Sequence, residues 1–130
     1  MTGTESKEIR EYYGFSLEEL AAILGYSQKQ DIHRVECMET VPNRYKAAIQ
    51  LLVQKCNAIN SFIQFYVSTK EISNKDYQLF YHKGRVVKIT IKRELVKDLS
   101  ILLRPFPFKE FVFDKLTGFS CIEFEYETKK

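Results

Sequence analysis

Several kinds of chemistry are missing from this chain. Its three cysteines, Cys37, Cys56 and Cys121, are an odd number at wide spacing, with no C-x-x-C pair. The two histidines, His33 and His82, stand far apart. That composition argues against a zinc site or a disulfide framework and for free thiols in a reducing compartment. No apolar run reaches the roughly 18 residues of a membrane span. The opening stretch MTGTESKEIREYY has no basic segment followed by an apolar one, so no signal peptide is expected and a cytoplasmic location is. There is no Gly-rich phosphate loop, no H-E-x-x-H and no carboxylate singled out by spacing. The expectation is a protein that is not an enzyme and carries no cofactor or metal. Repeats and low-complexity segments are also lacking.

What remains is 130 residues, 45% of them hydrophobic, enough for one packed domain or two small ones. The net charge of +3 is unevenly spread. Residues 1–54 hold six Lys/Arg against eight Asp/Glu, a net of −2; residues 55–130 hold fourteen against nine, a net of +5.

Gly14 to Glu36 reads as two short helices joined by a tight turn. Ser16 can cap the first, with Glu19 at the capping-box spacing. Leu17, Leu20, Ala21 and Leu24 give it an apolar face, and Gly25 ends it as a residue free to take positive φ. Ser27 is placed to cap the second, with Ile32 and Val35 inward and Lys29, Gln30, His33 and Arg34 outward. A first helix over 4–12 turns Ile9, Tyr12 and Tyr13 inward, and Phe15 packs between the helices. After a loop over 37–41, Pro42 opens a helix predicted over 43–68. Along it Tyr45, Ile49, Leu52, Cys56, Ile59, Ile63 and Tyr66 form a heptad seam, widened by Val53, Phe62 and Phe65. Either the same helix of a second subunit or the chain's own C-terminal sheet can cover that seam.

Beyond residue 69 the period becomes twofold. Tyr77–His82 and Val87–Lys92 read as a hairpin around Lys83-Gly84. A helix follows over 94–103, with Leu95, Leu99 and Leu102 on one side. Arg104-Pro105-Phe106-Pro107 stops it. A third strand begins near Phe108, Leu116-Thr117-Gly118 turns the chain, and Cys121–Tyr126 forms a fourth strand. The tail Lys129-Lys130 is expected to fray. The predicted fold class is α+β. It comprises an N-terminal helix-turn-helix helical domain over 1–54, a long connecting helix, and a C-terminal ββαββ antiparallel module within 69–130.

Residues Gly14-Phe15-Ser16, Glu18-Glu19-Leu20-Ala21, Leu24-Gly25-Tyr26-Ser27, Ile32, Arg34-Val35-Glu36 and Pro42 occur in the order of one known motif, with one residue more between Ser27 and Ile32 than its commonest spacing. Residues 9–52, about a third of the chain, resemble the lambda-repressor/Cro-type (XRE-like) helix-turn-helix domain. The resemblance implies a dimeric regulator of transcription that binds double-stranded DNA. Its base-reading positions carry over to Lys29, Gln30 and Arg34, with His33 beside them, and Arg10, Asn43 and Arg44 become phosphate contacts at the edge. Gln suits adenine, and Lys and Arg suit guanine. The chain departs from the family where helix two opens on Leu17 and where the loop carries Met38 and Glu39. Glu36 is expected to bond within the domain. An alternative stays open, because the N-terminal half is acidic. In that reading the scaffold does not bind DNA, and the aromatic-rich C-terminal module binds another protein.

The basic run Lys83, Arg85, Lys88, Lys92, Arg93 and Lys97 can follow nucleic acid. It can equally pair across the sheet, with Lys88 and Lys92 facing Glu123, Glu125 and Glu127.

Overall fold

The change of period near residue 70 marks where helices give way to a sheet. The computed structural model describes residues 1–114 and 118–126. In order it runs α1 (Gly3–Tyr12), α2 (Leu17–Leu24), α3 (Lys29–Glu36), α4 (Asn43–Thr69), β1 (Tyr77–His82), β2 (Arg85–Lys92), α5 (Arg93–Leu102), β3 (Phe108–Asp114) and β4 (Phe119–Phe124). The chain is mixed α+β, with its helices concentrated early and one antiparallel four-stranded sheet late. It divides into two units: Met1–Lys55 with Tyr126, and Cys56–Glu125.

In the first unit local chemistry sets the helix ends. Ser16 Oγ accepts the Glu19 N–H at 3.0 Å and Glu19 returns a carboxylate to the Ser16 N–H at 2.9 Å. Gly25 closes α2 at φ 82°. Thr2 and Glu5 make the same reciprocal pair on α1. The cap of α3 is Gln28 rather than Ser27, and the Asp31 carboxylate accepts the Gln28 N–H at 3.3 Å. The turn between α2 and α3 therefore takes up one more residue. Leu20, Ala21, Ile32, Val35, Tyr45 and Ile49 form the core with Phe15 and Tyr13. Tyr12, expected inward, is 65% exposed; it sits one position off the stripe that buries Tyr13. Tyr126 lies past the end of β4 and belongs to this unit, its ring edge-on to Phe15 at 5.7 Å.

The loop after α3 is held by the chain's first residues. The Gly3 N–H donates to Met38 O at 2.9 Å and the Val41 N–H to Met1 O at 3.0 Å. A Cβ on Gly3 would lie 2.6 Å from Met38 O and closer still to Glu36 O, so glycine is needed there for room rather than for φ.

All seven seam residues of α4 are buried, none of them more than 8% exposed. The chain itself covers the seam, which settles the alternative left open by periodicity in favour of an intramolecular cover. Within the second unit Tyr66 donates its hydroxyl proton to Leu95 O, and Phe62 packs on Phe106 at 5.5 Å. Burying an Ile such as Ile59 or Ile63 contributes about 1.5–3 kcal/mol. Phe65, expected to widen the seam, points out and is 62% exposed.

Strand order is β1-β2-β4-β3, all antiparallel. β2 is central, which explains why Val86, Ile89, Thr90 and Ile91 are all buried. A bulge between Phe80 and Tyr81 breaks the expected alternation on β1, and Tyr81 turns outward. α5 buries Val96 and Leu99, with Leu103 just beyond, while Leu95 and Leu102 are half-buried. The expected turn at Leu116-Thr117 and the tail Lys129-Lys130 lie outside the described residues, as does Glu127.

Candidate nucleic-acid interface

α3 has eight residues and two clearly different sides. Ile32, Val35 and Glu36 are buried. Lys29, Gln30, His33 and Arg34 are exposed, as their positions predict. Asp31 in the first turn and His33 and Arg34 in the last complement the helix dipole.

Each cation of this surface has a carboxylate nearby. Lys29 Nζ lies 3.7 Å from Glu18 on α2, and Arg34 lies 3.7 Å from Asp31. The Arg34 side chain is nevertheless 72% exposed and that of Lys29 52%. Exposed pairs of this kind contribute about 0–1 kcal/mol, so a phosphate can displace them at small cost. Gln30 lies on the same side as these cations. Asn43 and Arg44 open α4 and are also exposed.

Arg10 behaves differently from the expectation of an edge contact. Its Nε and one terminal nitrogen donate to the two Glu36 carboxylate oxygens at 2.7 and 3.2 Å, and the other nitrogen donates to Phe15 O at 3.0 Å. The side chain is 12% exposed and that of Glu36 2%. The bond to Glu36 holds the guanidinium above its ordinary pKa, so it is always charged. Arg10 ties α1 to α3, and Glu36 takes the internal bonding role expected of it.

Two features escaped the sequence reading. His33 and Cys37 are one helical turn apart, and the Cys37 thiol sits 3.8 Å from His33 Nε2 on the exposed side. The i, i+4 spacing was the available signal. Tyr45 is fully buried, and its hydroxyl has no protein hydrogen-bond partner among the described residues. Burial, with Glu36 and Tyr26 adding to it, pushes the phenol above its ordinary value. Tyr45 also lines a cleft with Leu24, Tyr26 and Arg44, between the end of α2 and the start of α4.

No family model, curated protein or solved structure matches the chain.

Half of the basic run is engaged within the second unit, while Lys83, Arg93 and Lys97 are exposed. Lys88 faces Glu123 in register and lies over the Phe80 ring at 4.7 Å. Lys92 meets Asp76 at 3.0 Å rather than a β4 glutamate, and Arg85 is buried. Lys109 approaches Glu125 at 3.9 Å. Among the described residues, no group of three or more His, Cys, Asp or Glu is placed to hold a metal ion. No helix among them is long and apolar enough to cross a membrane.

Proposed function

We propose that α2 and α3 form a helix-turn-helix of the lambda-repressor/Cro type and that the protein is a cytoplasmic, sequence-specific regulator binding duplex DNA as a dimer. The observation that carries this reading is the exposed side of α3, where Lys29, Gln30, His33 and Arg34 stand clear of the core. Gln30 and Arg34 are the base readers, for adenine and guanine edges respectively. Lys29, Asn43 and Arg44 contact phosphates. β1, β2, α5, β3 and β4 act as one ββαββ module for dimerisation or partner binding. The α4 seam is already covered, so the dimer contact falls elsewhere.

Selection from a random duplex pool tests the assignment. The wild-type chain is expected to enrich a motif, and Gln30→Ala with Arg34→Ala to enrich none. Both residues are exposed, so the fold should survive within about 0.5 kcal/mol. A motif retained by the double variant would remove these residues from base reading.

A second reading is favoured by one observation: the cations Lys29, Arg34 and Arg10 all have carboxylates within 4.0 Å. In it the helical scaffold binds a protein and no duplex. Absence of duplex binding even at low salt would select it.

A further inference from the structure

The duplex reading leaves α1 unused. A groove there is lined by Glu5, Glu8, Ile9, Tyr12 and Tyr13. Helical spacing sets Glu5, Glu8, Ile9 and Tyr12 along one stripe. Tyr12 is 65% exposed, and its ring meets the buried Tyr13 edge-on, with centroids 4.8 Å apart and planes at 81°. Its exposed face is open to a group that stacks on it.

The groove is negative. The two cations of α1 are engaged elsewhere, Lys7 with Glu11 at 3.9 Å and Arg10 with Glu36 at 2.7 Å. No cation pairs with Glu8 among the described residues. Glu5 spends one oxygen on the Thr2 N–H and keeps its charge. An anion is repelled from this surface. A purely apolar ligand would strip water from two carboxylates without replacing it.

We propose that this groove docks an arginine side chain from a segment of a partner protein. A guanidinium is planar and weakly hydrated. It stacks on the exposed Tyr12 ring while its fork donates to Glu8 or Glu5. A lysine ammonium offers charge but neither the flat face nor the fork.

The full chain, isotopically labelled, is titrated with acetyl-Gly-Arg-Gly-Arg-Gly-amide while its amide signals are followed. The arginine peptide should give saturable shifts confined to residues 5–13. The lysine counterpart should bind more weakly, and the glutamate counterpart not at all. Tyr12→Ala and Glu8→Gln should each weaken binding by about two- to fivefold. Both positions are exposed, and unchanged signals from the rest of the chain report an intact fold. Equal affinity for the lysine peptide, shifts spread over all acidic residues, or unchanged affinity in both variants would overturn the proposal. Shifts at residues 5–13 that follow protein concentration without peptide would give the groove to a second copy of this chain, and would overturn it too.

Discussion

Arg10 and Glu36 share two hydrogen bonds and almost no solvent. Removing one partner of such a pair leaves a charge with neither water nor counter-charge. Arg10→Ala is therefore expected to destabilise the chain by about 3–5 kcal/mol, read as a lower denaturant midpoint at unchanged slope. Replacing both residues by apolar ones of similar volume should cost far less. A small loss in the single variant would mean that water reaches Glu36. Tyr45 presents the opposite case, a buried hydroxyl with no protein partner among the described residues. Tyr45→Phe keeps the ring and should raise stability by about 1 kcal/mol at neutral pH. Its pH dependence follows from the raised phenol. The folded state keeps the proton that the unfolded chain releases above the ordinary value of 10.0, so stability is intact below that pH and falls as pH rises beyond it. The variant should lack that part of the alkaline loss. Parallel stability curves for the two proteins above pH 10.0 would show that Tyr45 does not titrate differently on folding.

The helices show what a sequence reveals at the scale of an element. α2 was legible to the residue because its start and stop are local: Ser16 and Glu19 bond reciprocally, and Gly25 takes the one conformation others avoid. Ser16→Ala should accordingly cost about 1 kcal/mol, seen as a lower thermal midpoint, and Ser16→Asp should restore most of it. Equal midpoints for all three proteins would remove the cap from the account. α4 was legible because a 4,3 repeat records which side is buried, though not by what. The bulge on β1 and the inward turn of Arg10 were not legible. A bulge is set by the register with β2, and the partner of Arg10 lies 26 residues away. Gln28 replaced Ser27 as cap for a related reason. The turn before α3 is set by how α3 docks on α2, where Lys29 meets Glu18. On the candidate surface, exposure of Lys29, Gln30, His33 and Arg34 followed from helical period alone. The carboxylates beside Lys29 and Arg34 and the burial of Arg10 follow from how the helices pack, which helical period does not record.

For the whole molecule the question is how few cations face outward in the half proposed to meet DNA. That half is net −2 over residues 1–54, and Arg10 is already committed inside it. Of its other five Lys/Arg residues, Lys7 pairs with Glu11 on α1 and Lys46 is half-buried, which leaves Lys29, Arg34 and Arg44 to meet phosphates or base edges. Each phosphate neutralised lowers the slope of log Kobs against log salt by about 0.9, so one chain should give a slope near −2.7 and two chains on adjoining half-sites about −5. Fluorescence anisotropy on a labelled duplex over a range of salt measures this directly. A steeper slope would require the basic second unit to join the contact, despite the engagement of Lys88 and Lys92 within its own sheet. A slope near zero would mean that no phosphate is met, and would leave the protein-binding reading in possession. Replacing Lys29 and Arg34 by Ala together should make the one-chain slope shallower by about 1.8, because both act as counter-charges whatever else they read.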